Sequence, residues 1–161
     1  MDPRARELVE TLGLAPHPEG GFFREIFRSA DRVTRVSSGE ERSALTTIHY
    51  LLPASAFSRW HRVLSDEAWY FAEGAPLELF VCDPGETAFR RTVLGSPGGG
   101  ARPVEVVPAG CAQAARTLGS FTLVGCTVAP GFEFADFRLL ADEPRAARRI
   151  RELEPGLAAL L

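Results

Sequence analysis

The chain has 161 residues and a formal net charge of −3; 45% of its residues are hydrophobic and 24% are charged. These proportions exclude a disordered, collagen-like or coiled-coil chain. A net negative charge does not attract a phosphate backbone, so we expect no nucleic-acid partner. No apolar run approaches the roughly 18 residues that cross a bilayer, and the first residues lack the apolar core of a signal peptide. We therefore expect no membrane association and a cytoplasmic location.

The lysine and cysteine content of the sequence limits the kinds of catalysis and metal binding that are possible. All 18 basic residues are arginine, which excludes a lysine side chain as a Schiff-base nucleophile. Cys82, Cys111 and Cys126 lie far apart in apolar segments and form no metal-binding motif. We expect these cysteines to be buried free thiols of a reducing compartment.

The predicted elements begin with a helix, for which Asp2 is a suitable N-cap, Pro3 fits the first turn and Gly13 is typical of the end. Short apolar or alternating runs follow, separated by glycine and proline, and they predict the many strands of a sandwich or barrel. A helical, arginine-rich segment is predicted from Asp142 to about Glu154. The predicted strands are Phe22–Phe27, Ala44–Leu52, Phe57–Val63, Ala68–Phe71, Leu77–Cys82, Ala88–Leu94, Val104–Val107, Cys111–Ala115, Phe121–Ala129 and Phe132–Leu139.

Two neighbouring predicted strands carry an imidazole and a carboxylate. Because alternate side chains of a strand face opposite sides, His61 and Val63 share one face and Ser58 and Trp60 the other. Glu67 opens the next strand. A histidine and a glutamate that point into one barrel interior suit either a metal ion or an acid–base pair.

A third segment brings an amide towards the same interior. The Pro108–Gly110 turn is followed by a strand that places Cys111, Gln113 and Ala115 on one face. The Gln113 side chain can accept or donate a hydrogen bond, although an amide is a weak metal ligand. Possible metal ligands are therefore His61, Glu67 and Gln113.

These segments resemble the paired motifs of the cupin superfamily. The first motif, G-x5-H-x-H-x3-4-E-x6-G, is matched by His61, Glu67 and Gly74, with Ser55 in place of the first glycine and Val63 in place of the second histidine. In the second motif, G-x5-P-x-G-x2-H-x3-N, the proline and glycine are matched by Pro108 and Gly110. Gln113 and Thr117 stand in place of its histidine and asparagine. Two of the four usual metal ligands are thus replaced.

A closer resemblance, from about Leu8 to Leu139, is to the small single-domain cupin-5 family of unassigned function. It rests on the phrases HPEGGFFREIFRS, SRWHRVLSDEAWYFAEGAPLEL, VVPAGCAQAA and LVGCTVAPGFEFADF. The resemblance implies a mainly β fold, a cupin-type double-stranded β-helix or jelly-roll barrel, with a short N-terminal helix and a C-terminal helix. The length indicates one domain over residues 1–161, with a barrel core at about 20–140. The resemblance also implies a homodimer and similarity to the sugar-nucleotide epimerase cupins.

That similarity also indicates ligand-binding residues. Arg24 and Arg28 lie on the first long predicted strand, which follows a sharp turn at His17–Gly21. A comparable N-terminal strand helps to bind substrate in the sugar-nucleotide epimerase cupins. We expect these arginines either to hold an anionic or sugar-like ligand or to form surface ion pairs with Glu25 or Asp31. Glu133 and Asp136 are three apart on a predicted strand, so only one of them would face the site. Ser58, Trp60 and Gln113 are further candidates, with Trp60 either a core or a pocket residue.

Three functional hypotheses follow. In the first, the protein is a sugar or sugar-phosphate isomerase or epimerase, with His61 as the base, Glu67 or Tyr70 as its helper, and Gln113 or an arginine as the donor to the enolate oxygen. In the second, the protein is a non-catalytic ligand-binding cupin. In the third, it is a cupin with a weakly bound divalent metal, which the replacement of two metal ligands disfavours.

Overall fold

The N-terminal helix forms as predicted. The structure, a computed structural model, describes residues 1–85 and 87–161. Helix α1 spans Pro3–Leu12, and the Asp2 side chain accepts hydrogen bonds from the backbone N–H groups of Arg4 (2.8 Å) and Ala5 (3.3 Å). Gly13 ends the helix at a φ of 62°, a left-handed conformation that glycine adopts without strain.

Thirteen strands are found in the described residues, and most of them form two facing antiparallel sheets. In chain order the strands are β1 (Ala15–Pro16), β2 (Phe22–Arg28), β3 (Arg32–Thr34), β4 (Glu41–Ser43), β5 (Thr46–Pro53), β6 (Ser58–Val63), β7 (Asp66–Gly74), β8 (Leu77–Cys82), β9 (Phe89–Leu94), β10 (Val104–Val107), β11 (Ala112–Thr117), β12 (Phe121–Ala129) and β13 (Phe137–Leu139). One sheet has the order β1-β2-β5-β12-β7-β10 and the other β13-β6-β11-β8-β9. This architecture confirms the predicted mainly β, jelly-roll fold.

The space between the sheets holds the main hydrophobic core. Trp69 of β7, Leu79 of β8 and Val124 of β12 are among its buried members, and their strands alternate so that these side chains face inwards. Because burial of apolar surface is the largest favourable term in folding, this core fixes the register of both sheets. That register determines which polar residues of the same strands also face inwards.

A C-terminal helix covers the outer face of the second sheet. Helix α2 spans Pro144–Leu153, close to the predicted segment, and its Ile150 packs with Trp60 of β6 and Leu157 in a second buried cluster. The Trp60 Nε1 donates a hydrogen bond to the carbonyl of Leu157 at 3.3 Å. Neither α-helix of the described part of the chain is long and apolar enough to cross a membrane.

The sequence prediction lacks the two-residue strand β1, and it differs from the structure in two further regions. The short strands β3 and β4, which pair with each other as a separate hairpin, were not predicted because they are three residues long and largely polar. The predicted strand Phe132–Leu139 is extended only at Phe137–Leu139, because residues 134–136 form a 3₁₀ turn. The turn follows from Asp136, whose buried ion pairs with Arg35 and Arg42 override the alternating pattern of the segment.

Candidate functional site

A cavity of about 100 Å³ lies between the two sheets and opens to solvent. Its inner part holds polar groups of β6, β7 and the turn before β2, while its mouth is formed by β2 and the segment 132–137. The lining residues are His17, Glu19, Phe23, Glu25, Arg28, Thr46, Ile48, Tyr50, His61, Val63, Glu67, Trp69, Cys126, Val128, Phe132, Glu133, Phe134 and Phe137.

A tight turn before β2 positions the Glu19 side chain in this cavity. Gly20 and Gly21 have φ values of 118° and 69°, which strongly favour glycine. A Cβ on Gly20 would lie 2.1 Å from the carbonyl oxygen of Phe57, so this glycine also permits close contact between the turn and the start of β6. As a result Glu19 is buried although it belongs to a connecting segment.

Glu19 binds His61 and Ser58 of β6. The Ser58 hydroxyl donates to Glu19 Oε1 at 2.9 Å, and His61 Nε2 lies 3.2 Å from Glu19 Oε2. The Nδ1 of His61 donates to the carbonyl of Arg59 at 2.7 Å, since a carbonyl can only accept. With a proton on Nδ1, the contact between Nε2 and Glu19 is a hydrogen bond when one further proton lies between them, either on the imidazolium or on the carboxylic acid. Both ring nitrogens of His61 are thus engaged, and its ring stacks on Phe137 with centroids 5.3 Å apart.

A second imidazole lies beside the same carboxylate but is held neutral. The backbone N–H of Glu19 donates to His17 Nδ1 at 3.2 Å, so the proton of His17 is on Nε2. Burial lowers the pKa of His17, and the nearby Glu19 carboxylate only partly opposes this effect. His17 therefore contributes an aromatic ring to the cavity, packed edge-on against Phe23 at 4.5 Å.

Glu67 is the second buried carboxylate of the cavity, and it has no arginine partner among the described residues. Its Oε2 accepts a hydrogen bond of 2.6 Å from Gln113 Nε2, and the Oε1 of Gln113 accepts one of 3.1 Å from Trp69 Nε1. Burial raises the pKa of Glu67 to about 7; the nearby His61 opposes this effect and the charge of Glu19 adds to it. Glu67 thus changes its protonation state near neutral pH.

Charged side chains of opposite sign meet at the mouth of the cavity. Arg28 donates from Nε (3.0 Å) and Nη2 (2.8 Å) to the Glu25 carboxylate and from Nη1 to Glu133 (2.8 Å). Its Nη2 also donates to the carbonyl of Phe132 at 3.1 Å. Every nitrogen of this guanidinium therefore has an acceptor. The expected ion pair between Arg28 and Glu25 is present, and the pair with Glu133 adds to it.

Four sequence candidates line the cavity, namely His61, Glu67, Arg28 and Glu133. Ser58 does not line the cavity but donates a hydrogen bond to Glu19, which does. Strand alternation predicts instead that Ser58 faces away from His61. A β-bulge explains this difference, because three residue steps on β6 lie opposite two steps on β11 between these positions. Gln113 lies behind Glu67 and orients it, and is not itself among the lining residues.

The prediction that places Tyr70 at the site is wrong, and of the two positions expected for Trp60 the structure shows the core and not the pocket. Tyr70 neighbours Trp69 on β7 and therefore points to the outer face of the sheet, where it is 42% exposed. Trp60 is fully buried, but in the cluster under α2 on the opposite face from the cavity. Neither residue can contact a molecule bound between the sheets.

The predictions that place Arg24 and Asp136 at the site are also wrong. Arg24 donates from Nη1 to the carbonyl of Leu12 at 3.0 Å and thus binds the end of α1. Asp136 accepts hydrogen bonds from Arg35 (2.9 Å) and Arg42 (2.8 Å on each oxygen), which occupy its carboxylate in a structural ion cluster. Glu133 and Asp136 do not share a site, as predicted, although the reason is the 3₁₀ turn rather than strand alternation.

The donor set does not fit the metal site of the cupin motif. Val63 lines the cavity with methyl groups where the motif has a histidine. The one acceptor oxygen of the Gln113 side chain is already bound by the Trp69 indole. Among residues 1–85 and 87–161, no group of three or more His, Cys, Asp and Glu side chains is arranged to hold a metal ion.

The sequence patterns indicate no site role for Glu19 or His17, and they indicate Glu25 only as an ion-pair partner. The sequence predicts a sharp turn at His17–Gly21, and its paired glycines are the signal that the preceding carboxylate, Glu19, is directed inwards. Glu25 lies two residues after Phe23 on β2, so the two side chains share a face, and both line the cavity. This inward alternation was the signal for Glu25.

The two facing sheets, with polar groups held in a cavity between them, define a cupin-type barrel. The chain belongs to the Cupin_5 family of the cupin superfamily (DUF985), whose sequence profile matches residues 6–140. No curated protein matches the chain.

Solved structures agree with this assignment. A Shewanella oneidensis protein is similar, with 33% identity, 98% of this chain and 96% of that chain covered, and a TM-score of 0.84. A hypothetical protein from Leishmania major has 32% identity, with 97% and 95% covered and a TM-score of 0.83. A mutant of Bacillus subtilis oxalate decarboxylase, at 16% identity with 87% of this chain and 34% of that chain covered, has a TM-score of 0.57 and is similar in fold alone.

Proposed function

We propose that this protein binds a small molecule in the cavity and catalyses proton transfer next to a carbonyl group, as an isomerase or epimerase does. The observation that carries the proposal is that Glu67, with a pKa of about 7, lines the same cavity as the Glu19–His61 pair. Acid–base catalysis is most efficient when the pKa of the catalytic group lies near the working pH. Groups of this kind in a cavity mark candidate catalytic sites.

The proposed reaction divides the work between these groups. Either Glu67 or the Glu19–His61 pair removes a proton from the carbon next to the carbonyl, and the electron pair of the broken C–H bond forms an enolate. The other donates a hydrogen bond to the enolate oxygen. In an isomerase the proton is delivered to the former carbonyl carbon, and the hydroxyl proton of the neighbouring carbon passes to the former carbonyl oxygen. In an epimerase a proton is delivered to the opposite face of the same carbon, so neither reaction needs an oxidant or a reductant. His61, expected to be the base, acts in this scheme together with Glu19.

A sugar-like substrate is part of the proposal through the resemblance to the sugar-nucleotide epimerase cupins. The rings that line the cavity offer apolar faces for the carbon skeleton of such a molecule. A phosphorylated substrate is less well supported, because Arg28 already binds two carboxylates and Arg24 is directed towards α1.

Solvent-exchange experiments test the reaction. Unphosphorylated keto and aldehyde sugars and amino ketones are incubated with the protein in deuterium oxide, and deuterium incorporation is followed by NMR. We expect exchange by the native protein and its loss in Glu67→Gln and His61→Asn. Glu73→Gln, on the same strand outside the cavity, and His49→Asn, on β5, should exchange at the native rate. Full activity of either cavity variant would contradict the proposal.

The second candidate is a non-catalytic ligand-binding protein. It is favoured by the engagement of both ring nitrogens of His61. A ligand that raises the melting temperature according to its concentration and Kd, without any exchange of its protons, would support this candidate over the enzyme.

The proposal also includes the cellular location and the oligomeric state of the protein. A cytoplasmic location is supported by three buried cysteines that form no disulfide. A homodimer is suggested by the family resemblance, and the mass measured by light scattering tests it.

A further inference from the structure

The cavity lining carries net negative charge. Its described residues include four carboxylates, namely Glu19, Glu25, Glu67 and Glu133, and one guanidinium, Arg28. With His17 neutral, the three carboxylates other than Glu67 and the one guanidinium leave a charge of −2. Protonation of His61 changes this to −1, and ionisation of Glu67 alone changes it to −3. The sign is therefore the same in each of these protonation states.

Aromatic rings form much of the remaining wall. The rings of His17, Phe23, Tyr50, Trp69, Phe132, Phe134 and Phe137 all line the cavity. Those near the mouth contact one another, with centroids 5.1 Å apart for Phe132 and Phe134 and 6.3 Å apart for Phe134 and Phe137. The faces of aromatic rings carry partial negative charge and attract cations, most strongly where water is excluded.

An anion has no comparable partner in this cavity. Each nitrogen of Arg28 already donates to a carboxylate or carbonyl, so a ligand phosphate or carboxylate would have to displace Glu25 or Glu133. It would also approach the buried Glu19 and Glu67 without a counter-ion. Charge alone therefore selects against anions and in favour of cations.

The size of the cavity limits the part of the ligand that enters it. A protein cavity of about 150 Å³ holds a molecule of benzene. The volume here is about 100 Å³, which fits a compact head group of about five non-hydrogen atoms. A methylated ammonium group has this size and presents apolar, positively polarised methyl groups to the rings.

From these observations we propose that the cavity binds an organic ammonium ion, with its alkylated head group among the aromatic rings and its charge balanced by the glutamates. This inference rests on the proposed function in one respect, namely that the cavity is the ligand site. It adds the chemical class of the ligand, so that the carbonyl compound of the proposed reaction is an aminated one.

Choline and its uncharged isostere 3,3-dimethylbutan-1-ol provide the first test, because they have nearly the same shape and differ in charge. Binding is measured by calorimetry at low ionic strength. We expect choline to bind about tenfold or more tightly than the alcohol, which corresponds to about 1.4 kcal/mol. Equal affinities, or failure of choline to bind while acetate binds, would overturn the inference.

Two variants at the mouth sharpen this test because they change the charge in opposite directions. Glu133→Gln removes a negative charge and should weaken choline binding several-fold. Arg28→Gln removes the opposing positive charge and should strengthen it. Glu73→Gln breaks an exposed ion pair with Arg4 outside the cavity and should leave the affinity unchanged. Shifts of the same sign in the two mouth variants would contradict a charge-selective site.

The outcomes distinguish this inference from the proposed reaction. Choline binding with the expected variant effects, but no proton exchange with any carbonyl compound, would refute the catalytic proposal and retain the cation site. Exchange with uncharged sugars, together with equal affinity for choline and its isostere, would refute the cation site and retain the catalysis.

Discussion

Glu67 and Asp136 are both buried carboxylates, but their surroundings are opposite in charge. Two guanidiniums bind Asp136, and hydrogen bonds from Arg42, together with the charges of Arg35 and Arg42, hold its pKa below the ordinary value. Glu67 has an amide as its hydrogen-bond partner, and burial raises its pKa to about 7. Burial alone therefore does not identify a functional carboxylate; burial without a guanidinium partner marks a candidate.

The positions of the two carboxylates agree with this difference. Asp136 joins the segment 132–137, which carries three of the cavity rings, to Arg35 beyond β3 and Arg42 of β4. It is therefore a structural anchor for one wall of the cavity. Glu67 lies within the cavity itself, where a proton released or taken up can reach a ligand.

The largest expected effect is at the structural anchor. Asp136→Asn leaves the buried Arg35 guanidinium without its carboxylate partner and leaves Arg42 with only the exposed Glu40, so we expect the free energy of unfolding to fall by about 3 kcal/mol or more. Chemical denaturation measures this loss. Asp142→Asn, at an exposed position, is the control and should change stability by less than about 0.5 kcal/mol. Similar values for the two variants would show that the ion cluster does not anchor the wall.

The second prediction concerns the pH dependence of stability due to Glu67. Its folded pKa lies above that of the unfolded chain, so the folded protein binds more protons between about pH 4.5 and 7 and loses stability as the pH rises through this range. The shift corresponds to about 3 kcal/mol. Glu67→Gln removes the ionisation and should therefore gain this amount relative to the native protein between pH 4 and pH 8.

Unfolding curves at several pH values check this gain, and Glu73→Gln is the matched control on the same strand. The hydrogen bond from Arg4 lowers the pKa of Glu73, so that carboxylate stabilises the fold above its unfolded pKa, and its replacement should have a small effect of the opposite sign. If the difference in stability between the native and Glu67→Gln proteins does not vary with pH, the pKa of Glu67 is not raised by folding.

A smaller effect is expected where Gln113 supports Glu67. Gln113→Leu removes a hydrogen bond that favours the ionised carboxylate, so the pKa of Glu67 should rise further. It also leaves the Trp69 indole without its acceptor, and we expect a loss of about 1–3 kcal/mol in stability. Carboxyl NMR titration follows the pKa, and an unchanged value would mean that the amide does not tune this group.

The smallest effect is expected at the mouth of the cavity. Arg28 pairs with Glu25 and Glu133, but all three side chains are about 36–45% exposed. Ion pairs in contact with solvent contribute little, so Arg28→Gln should change stability by less than about 1 kcal/mol. A loss as large as that of Asp136→Asn would show that these pairs also hold the wall in place.

Much of the fold follows from local pattern. The strands Leu77–Cys82, Val104–Val107 and Phe121–Ala129 have the predicted bounds, because each is an apolar or alternating run between glycine or proline residues. Strand alternation also placed His61 and Glu67 on inward faces. These predictions succeed because residues on one strand determine them.

The remaining features depend on contacts between distant residues. The partners of Asp136 lie 94 and 101 positions earlier in the chain, and no local pattern indicates them. The bulge in β6 reverses the facing of Ser58 through its pairing with β11. Glu19 belongs to a turn, for which side-chain direction has no periodicity. Strand patterns therefore predict His61 and Glu67, whereas the positions of His17 and Glu19 follow only from the docking of the turn.

The position of Glu19 in the turn at Gly20 and Gly21 links the chemistry of the cavity to the docking of one short segment. If residues 17–21 detach while the two sheets stay paired, the barrel survives but His61 and Ser58 lose their common acceptor. Local opening of this kind requires less free energy than global unfolding. Amide hydrogen exchange faster in the turn than in β12 would then report how often the acid–base cluster is dismantled in an otherwise folded molecule.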